Sequence, residues 1–191
     1  MKNGLTRREF GRRVGAAGFG LTAGGLLLGR GTSAFASTPK RGGGARIAFT
    51  TINPNDTIDP IKVTSNIDAT RCYQLYSNLA RAGSDQLPYP QLAESWEASD
   101  DATEWVFNLR KGVEFHNGKT MSSADVGYNS HRHLGEGTES RIKAYMAQIV
   151  EVTADGDHRI RIKLNNPNSE LPILFASARA GIVPEGHTDF D

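Results

Sequence analysis

Hydrophobic and polar residues alternate along two stretches of the chain, TEWVFNLRKG at 103–112 and HRIRIKL at 158–164. Successive side chains of a strand point to opposite faces of its sheet, so this pattern predicts two strands that each bury one face. The basic residues between the apolar ones, such as Arg161 and Lys163, then face water. The apolar positions expected in the core are Trp105, Phe107, Leu109, Ile160, Ile162 and Leu164.

Capping residues and helical spacing predict two longer helices. Ser122 is a good N-cap with Asp125 at the third helical position, which predicts a helix over 123–134. Ser65 and Asp68 form the same pattern at the start of the other helix. The apolar positions on one face of that helix are Ile67, Cys72, Leu75, Tyr76 and Leu79.

Shorter apolar stretches predict the remaining elements. RIAFT (46–50), residues 149–152 and AGIVP (180–184) are predicted strands, while 141–149 and part of 165–177 look helical. Turns are expected at Asp100-Asp101, Asn117-Gly118 and Asp155-Gly156. Because helices and strands are mixed along the chain, the predicted fold class is mixed α/β.

Basic charge is concentrated at the N-terminus. Six of the 22 Lys and Arg residues lie within residues 1–36, which hold one of the 21 acidic residues. A mostly apolar run from Val14 to Gly29 follows, and then the small-residue cleavage pattern Ala34-Phe35-Ala36. This order is typical of an export signal peptide, so the mature chain is expected to begin at Ser37. The run is too short for a transmembrane helix, which needs about 20 apolar residues.

The segment TRREFGR (6–12) resembles the twin-arginine export signal, with Arg7 and Arg8 as the arginine pair. Gly11 departs from the apolar residue usual at its position. The alternative is a Sec signal that happens to contain two arginines, but Arg30 close to the cleavage region favours the twin-arginine interpretation. Both predict an exported protein, periplasmic and soluble after cleavage, and the twin-arginine signal implies the corresponding translocase as a partner during export.

Several function classes are excluded or disfavoured by the residues. Nothing after residue 36 forms a basic stripe, so nucleic acid is not an expected partner. Cys72 is the single cysteine, which excludes an intrachain disulfide and favours a small buried side chain. His131 and His133 are two residues apart on a predicted helix and therefore point to different sides of it, which argues against a shared metal. No catalytic motif was found, and no cofactor is implied.

Five stretches follow one another in a recognisable order: Asp59-Pro60, LAESWEASDDATEWVFNLRKGVEFHNGK at 92–119, SSADV at 122–126, ADGDHRIRIKLNNPN at 154–168 and GIVPEGH at 181–187. Together they resemble the family 5 extracellular solute-binding proteins of ABC importers. This family includes periplasmic proteins that bind peptides, dipeptides, nickel and haem. The resemblance covers nearly all of 44–191.

The resemblance implies a fold similar to the type II periplasmic binding proteins, in which two lobes trap the ligand. After the signal peptide (1–36) and a flexible tether (37–45), residues 46–76 would begin lobe I. Residues 77–188 would form a β-rich extra domain, and 189–191 would re-enter lobe I. The chain is therefore expected to be an N-terminal fragment of such a protein, with an incomplete fold. Ile47, Ile67 and Leu75 are then expected to leave apolar surface uncovered.

The function implied by the resemblance is capture of a peptide or similar small solute in the periplasm and its delivery to the membrane permease of an ABC importer, without catalysis. The ligand-binding residues implied lie after the first strand and in a later loop: Thr51, Ile52, Asn53, Ser140, Arg141 and Ile142. Two alternatives remain open, an exported metal-dependent enzyme and a non-functional gene fragment. Binding by this chain alone is expected to be millimolar or weaker.

Overall fold

A computed structural model of the chain describes residues 42–44, 46–50 and 54–190. The chain divides into two units, 1–46 and 47–191, and the elements below all belong to the second. The predicted signal peptide, with its cleavage residues Ala34 and Ala36, lies outside the described residues. So do three of the predicted ligand-binding residues, Thr51, Ile52 and Asn53.

The residues that the structure describes form six strands in two sheets. The strands are β1 (Ala80–Ala82), β2 (Pro88–Pro90), β3 (Ala93–Ala98), β4 (Glu104–Leu109), β5 (Ile149–Ala154) and β6 (Arg159–Leu164). Four antiparallel strands make the larger sheet in the order β3-β4-β6-β5, and β1 and β2 form a separate antiparallel pair. The pairs β3-β4 and β5-β6 are consecutive in the chain, and the pairing of β4 with β6 joins them.

One face of the larger sheet carries the main core, as the alternation predicted. All six expected core residues of β4 and β6 are buried, and Phe107 and Ile160 face each other in the register of the two strands. The Phe107 ring packs edge-on against Phe175, with ring centroids 5.5 Å apart. Arg159, Arg161 and Lys163 lie on the opposite face and are exposed.

The described part of the chain also contains four helices and two 3₁₀ turns. The helices are α1 (Asn66–Leu75), α2 (Ser123–Leu134), α3 (Lys143–Met146) and α4 (Leu171–Leu174), and the 3₁₀ turns are Pro60–Lys62 and Ala178–Ala180. Both capping predictions are confirmed: Ser65 and Asp68 form a capping box, and the Asp125 carboxylate accepts from the Ser122 backbone N–H at 2.8 Å. The helix expected over 141–149 is shorter, since only Lys143–Met146 is α-helical.

Two predicted strands are wrong. Residues 46–50 are not in a strand, and in the described part of the chain no strand pairs with them. Their β propensity is not sufficient to form a strand without such a partner. Of residues 180–184, Ala180 ends the second 3₁₀ turn, and residues 181–184 lie in neither a helix nor a sheet. Their backbone bonds go elsewhere: Ile182 N–H donates to Ser77 O, and Val183 bonds to the side chain of Asn129.

The expectation of uncovered apolar surface is confirmed for two of three residues. Ile47 is 64% exposed and Leu75 is 44% exposed. The expectation is wrong for Ile67, because this residue is buried. Cys72 is buried as expected, beside Val63 and Ala178. Among the residues that the structure describes, none of the helices has the length and apolar character needed to cross a bilayer.

Candidate functional site

A cleft of about 540 Å³ opens where three parts of the chain meet. We call them the Asp59 segment (residues 57–63), the cleft loop (residues 135–142) and the Val183 segment (residues 181–190). The last turn of α2 forms part of the floor through His131 and Arg132. The volume lies in the range of small-molecule sites, about 300–1,000 Å³.

A buried ion pair lies at the centre of this cleft. Arg132 Nη2 is 2.8 Å from Asp59 Oδ1, and both side chains are largely shielded from water, at 12% and 7% exposure. The same carboxylate oxygen accepts from Ile61 N–H at 3.2 Å and thereby caps the 3₁₀ turn. The Asp59 N–H donates to Thr57 Oγ1 at 3.0 Å. Removal of either partner would leave the other charge buried and uncompensated, which destabilises a fold. Both residues are therefore needed for the stability of this part of the fold.

The guanidinium of Arg132 has a second neighbour across the cleft. Its central carbon lies 4.6 Å from the centroid of the Phe190 ring, a cation–π contact with the Val183 segment. Its other amino group, Nη1, is buried and has no hydrogen-bond partner among the described residues. Arg132 therefore contacts two walls of the cleft and retains one unused donor.

The cleft loop is attached to the Asp59 segment by two direct interactions. Arg141 N–H donates to Ile61 O at 2.9 Å. Lys62 Nζ and Glu139 Oε2 form a salt bridge at 2.6 Å. The hydrogen bond to Glu139 raises the pKa of Lys62, and the same bond lowers the pKa of Glu139. Both side chains of this salt bridge are exposed to water, which weakens their attraction. The backbone hydrogen bond is therefore the attachment that is better shielded from water.

A buried histidine supports the loop from behind. His133 is 3% exposed, and its Nδ1 is hydrogen-bonded to Ser140 Oγ at 2.7 Å. Burial lowers the pKa of His133 to about 4, and the positive charge of Arg132 acts in the same direction. The imidazole is therefore neutral at pH 7. Ser140 Oγ also accepts from Ile142 N–H at 3.3 Å, which fixes the turn into α3.

The three predicted ligand-binding residues of the loop have different surroundings. The Ser140 hydroxyl bonds within the protein, and Ile142 packs in the main core at 6% exposure. The Arg141 side chain is exposed. The residues of this loop that line the cleft are 135–139, so the three predicted residues lie just beyond its lining. The binding role of all three stays a prediction.

Sequence reasoning missed the central residues of the cleft. Asp59 stands out in the sequence only as part of the Asp59-Pro60 pair, and no sequence pattern singled out Arg132. A signal was present: Asp125, Tyr128, Asn129 and Arg132 place polar side chains at i, i+3, i+4 and i+7, on one face of α2. A polar stripe on a helix usually faces water. Only the structure, in which these side chains are shielded, shows that they bond to distant segments of the chain.

The cleft is lined by charges of both signs. Lys62 and Arg132 are its cations, and its carboxylates include Asp59 and Glu139. Such a surface can bind a polar solute by hydrogen bonds and paired charges. Within the described residues, no group of three or more His, Cys, Asp or Glu side chains is placed to hold a metal ion.

Comparison with known proteins gives a family match. The model of the bacterial extracellular solute-binding proteins, family 5 (middle region), matches residues 88–191. A relative from Sinorhizobium fredii, the probable peptide ABC transporter periplasmic-binding protein y4tO, is 30% identical over 118 residues. That alignment covers 62% of this chain and 22% of the relative, so the chain spans about a quarter of the length of the curated relatives it matches.

Solved structures show the same similarity at the level of the fold. The periplasmic binding protein AgaA of A. tumefaciens R10, in complex with agropinic acid, aligns with a TM-score of 0.65 and 28% identity over 68% of this chain and 26% of its own. OppA of Haemophilus influenzae, in complex with the peptide RPPGFSPFR, aligns with a TM-score of 0.64 at 23% identity over 68% and 28% of the two chains. The mixed α/β fold class predicted from the sequence is confirmed.

Proposed function

Because the chain belongs to the family 5 bacterial extracellular solute-binding proteins, we propose that it takes part in the capture of a peptide or similar small solute and its delivery to the permease of an ABC importer. The protein is periplasmic, as the family description and the names of its relatives indicate. The relatives that match are binding proteins, so the role is solute binding. We also propose that the twin-arginine pathway exports it.

The family match over 88–191 is the observation that carries this proposal. The cleft supports it, because its lining combines the buried Asp59–Arg132 ion pair with exposed charged side chains. Arg141 lies beside the Asp59 segment, and Lys62, Arg132 and Glu139 offer donors and acceptors around it. A peptide or an opine-like carboxylate carries the complementary groups.

Chemical-shift mapping on the chain after signal removal tests the proposal. The probes are a dipeptide, a tripeptide, the nonapeptide RPPGFSPFR and agropinic acid. We expect saturable shifts of the amides around Glu139, Arg141 and Phe190 with at least one probe. The expected dissociation constant is millimolar or weaker, about −4 kcal/mol, because an open cleft removes little of the solute from water.

A pair of matched substitutions sharpens the test. Arg141→Ala removes the exposed arginine of the cleft loop, next to the residues that line the cleft, and should weaken the response. Arg161→Ala removes an exposed arginine on the solvent face of β6, away from the cleft, and should leave the response unchanged. Absence of any response at the cleft to all four probes would contradict the proposal, and a micromolar constant would contradict the expectation of weak binding.

A further inference from the structure

One face of α2 holds the two segments that form opposite walls of the cleft. Asp125 and Asn129 are fully or nearly fully buried, at 0% and 4% exposure, although both are polar. The four side chains at i, i+3, i+4 and i+7 are Asp125, Tyr128, Asn129 and Arg132. Each of them bonds to a part of the chain more than 50 residues away in sequence.

Three of these side chains fix the Val183 segment by its backbone. Asp125 Oδ1 accepts from Glu185 N–H at 2.7 Å, and Tyr128 OH donates to His187 O at 2.9 Å. Asn129 bonds to both the N–H and the C=O of Val183. These hydrogen bonds do not depend on which side chains the Val183 segment carries. They therefore fix the course of its backbone and not the chemical character of its side chains.

The fourth side chain, Arg132, fixes the other wall. Its bond to Asp59 holds the carboxylate that caps the 3₁₀ turn through Ile61 N–H. The carbonyl of Ile61 in turn accepts from Arg141 N–H. Three hydrogen bonds thus connect Arg132 to the exposed arginine of the cleft loop, and the contact of Arg132 with the Phe190 ring reaches the Val183 segment.

We propose that Arg132 is a positioning residue of the cleft: by binding Asp59 and stacking on Phe190, it sets the distance between the Asp59 segment with its attached loop and the Val183 segment. The inference rests on the proposed function of the cleft as a solute site. An arginine suits this role because its planar guanidinium can donate in its plane and stack through its face at the same time. A lysine at this position could supply the charge but not both contacts.

Amide hydrogen exchange tests the positioning role without any solute. The reporter is the Arg141 amide, which donates to Ile61 O, and the internal reference is the set of amides of β4, a strand paired on both sides. Arg132→Met should increase Arg141 exchange about tenfold relative to β4, the size expected for loss of a hydrogen bond to a charged group. Arg132→Lys should fold and give a smaller increase. Arg159→Lys, on the exposed face of β6, is the matched control and should give none.

The outcomes separate a positioning role from a purely structural one. If Arg141 exchange rises in step with the β4 amides, Arg132 only stabilises the whole fold and the proposal is wrong. The proposal is also wrong if the Arg132→Met variant does not fold and the Arg141 amide of the Arg132→Lys variant exchanges at the wild-type rate. For any probe that binds the wild type, Arg132→Lys should weaken binding by a larger factor than Arg159→Lys. If no probe binds, the proposed function fails, while hydrogen exchange still decides the role of Arg132.

Discussion

Asn129 on helix α2 bonds to the backbone of Val183 in the manner of a neighbouring strand. Its Nδ2 donates to Val183 O at 2.7 Å, and its Oδ1 accepts from Val183 N–H at 3.2 Å. Nδ2 also donates to Asp125 O at 2.8 Å. All of these groups are buried, so the carboxamide satisfies backbone that would otherwise need a strand partner.

Replacement of Asn129 by alanine is therefore expected to be costly. Asn129→Ala leaves the N–H and C=O of Val183 without partners, and an unsatisfied buried polar group costs about 1–3 kcal/mol. Urea unfolding followed by tryptophan fluorescence measures the loss of stability. Asn166→Ala is the control, because Asn166 is exposed and bonds only to the side chain of Asn165. Equal midpoints for the two variants would show that the bonds to Val183 contribute nothing.

Trp105 is expected to be the most costly single truncation in the sheet. It is 6% exposed, and its Nε1 donates to Asn168 O at 3.1 Å. Trp105→Ala should destabilise the fold by about 3–5 kcal/mol, the usual range for a buried large aromatic residue. Trp96→Ala, at a partly buried position on the neighbouring strand β3, should cost clearly less. A Trp105→Ala variant with the wild-type urea midpoint would contradict its place in the core.

His133 should make the fold sensitive to pH between 6.5 and 4. Burial lowers its pKa to about 4, whereas the unfolded chain titrates near 6.5. In this interval the unfolded state binds a proton that the folded state does not, so stability falls as pH falls, by roughly 3 kcal/mol in all. Above pH 6.5 the effect is absent.

The pH effect can be assigned with one substitution. His133→Gln keeps a side chain that can bond to Ser140 but does not titrate, so its unfolding free energy should vary less between pH 6.5 and 4 than that of the wild type. His131→Gln replaces an exposed histidine of the same helix and serves as the control. Parallel pH curves for the wild type and His133→Gln would show that other groups cause the dependence.

Cys72 should be almost unreactive in the folded protein. Burial raises its pKa to about 11, and the carboxylates of Asp68 and Asp59 act in the same direction. Because the thiolate is the reactive form, an aromatic disulfide reagent at pH 8 should react slowly with the native chain and rapidly in urea. Because Cys72 is the single cysteine of the chain, the reaction of the reagent reports on this thiol alone. Equal rates in buffer and in urea would show that the site around Cys72 is open.

The arginine pair at the N-terminus gives a prediction about export. The twin-arginine pathway recognises both arginines, so replacement of Arg7 and Arg8 by lysine should leave unprocessed precursor in the cytoplasm. Fractionation and immunoblotting of cells that express the variant measure this. Arg12→Lys, which is outside the pair, is the control and should be exported. Normal cleavage after Ala36 in the double-lysine variant would indicate a Sec signal instead.

Local pattern alone determined the strands β4, β5 and β6 and the two longer helices, whereas it did not predict β1, β2 or β3. The alternation through Trp105, Phe107 and Leu109 fixed both the strand and its buried face, because the side-chain period of a strand is two. The capping boxes at Ser65 and Ser122 placed the starts of both longer helices correctly. These features depend on residues close together in sequence, which is why the sequence is sufficient for them.

Only the tertiary structure decided how distant segments meet. The stretch at 180–184 has strand-like composition, yet Asn129 supplies its bonds and no strand pairs with it in the described residues. Asp59 and Arg132 are 73 residues apart, and nothing local to either indicates that they form a buried ion pair. A polar stripe on a helix is equally compatible with water and with buried backbone. The Asp59 and Val183 segments bond to this face of α2 and bury Asp125 and Asn129, so that residues typical of a solvated surface become buried links between distant segments.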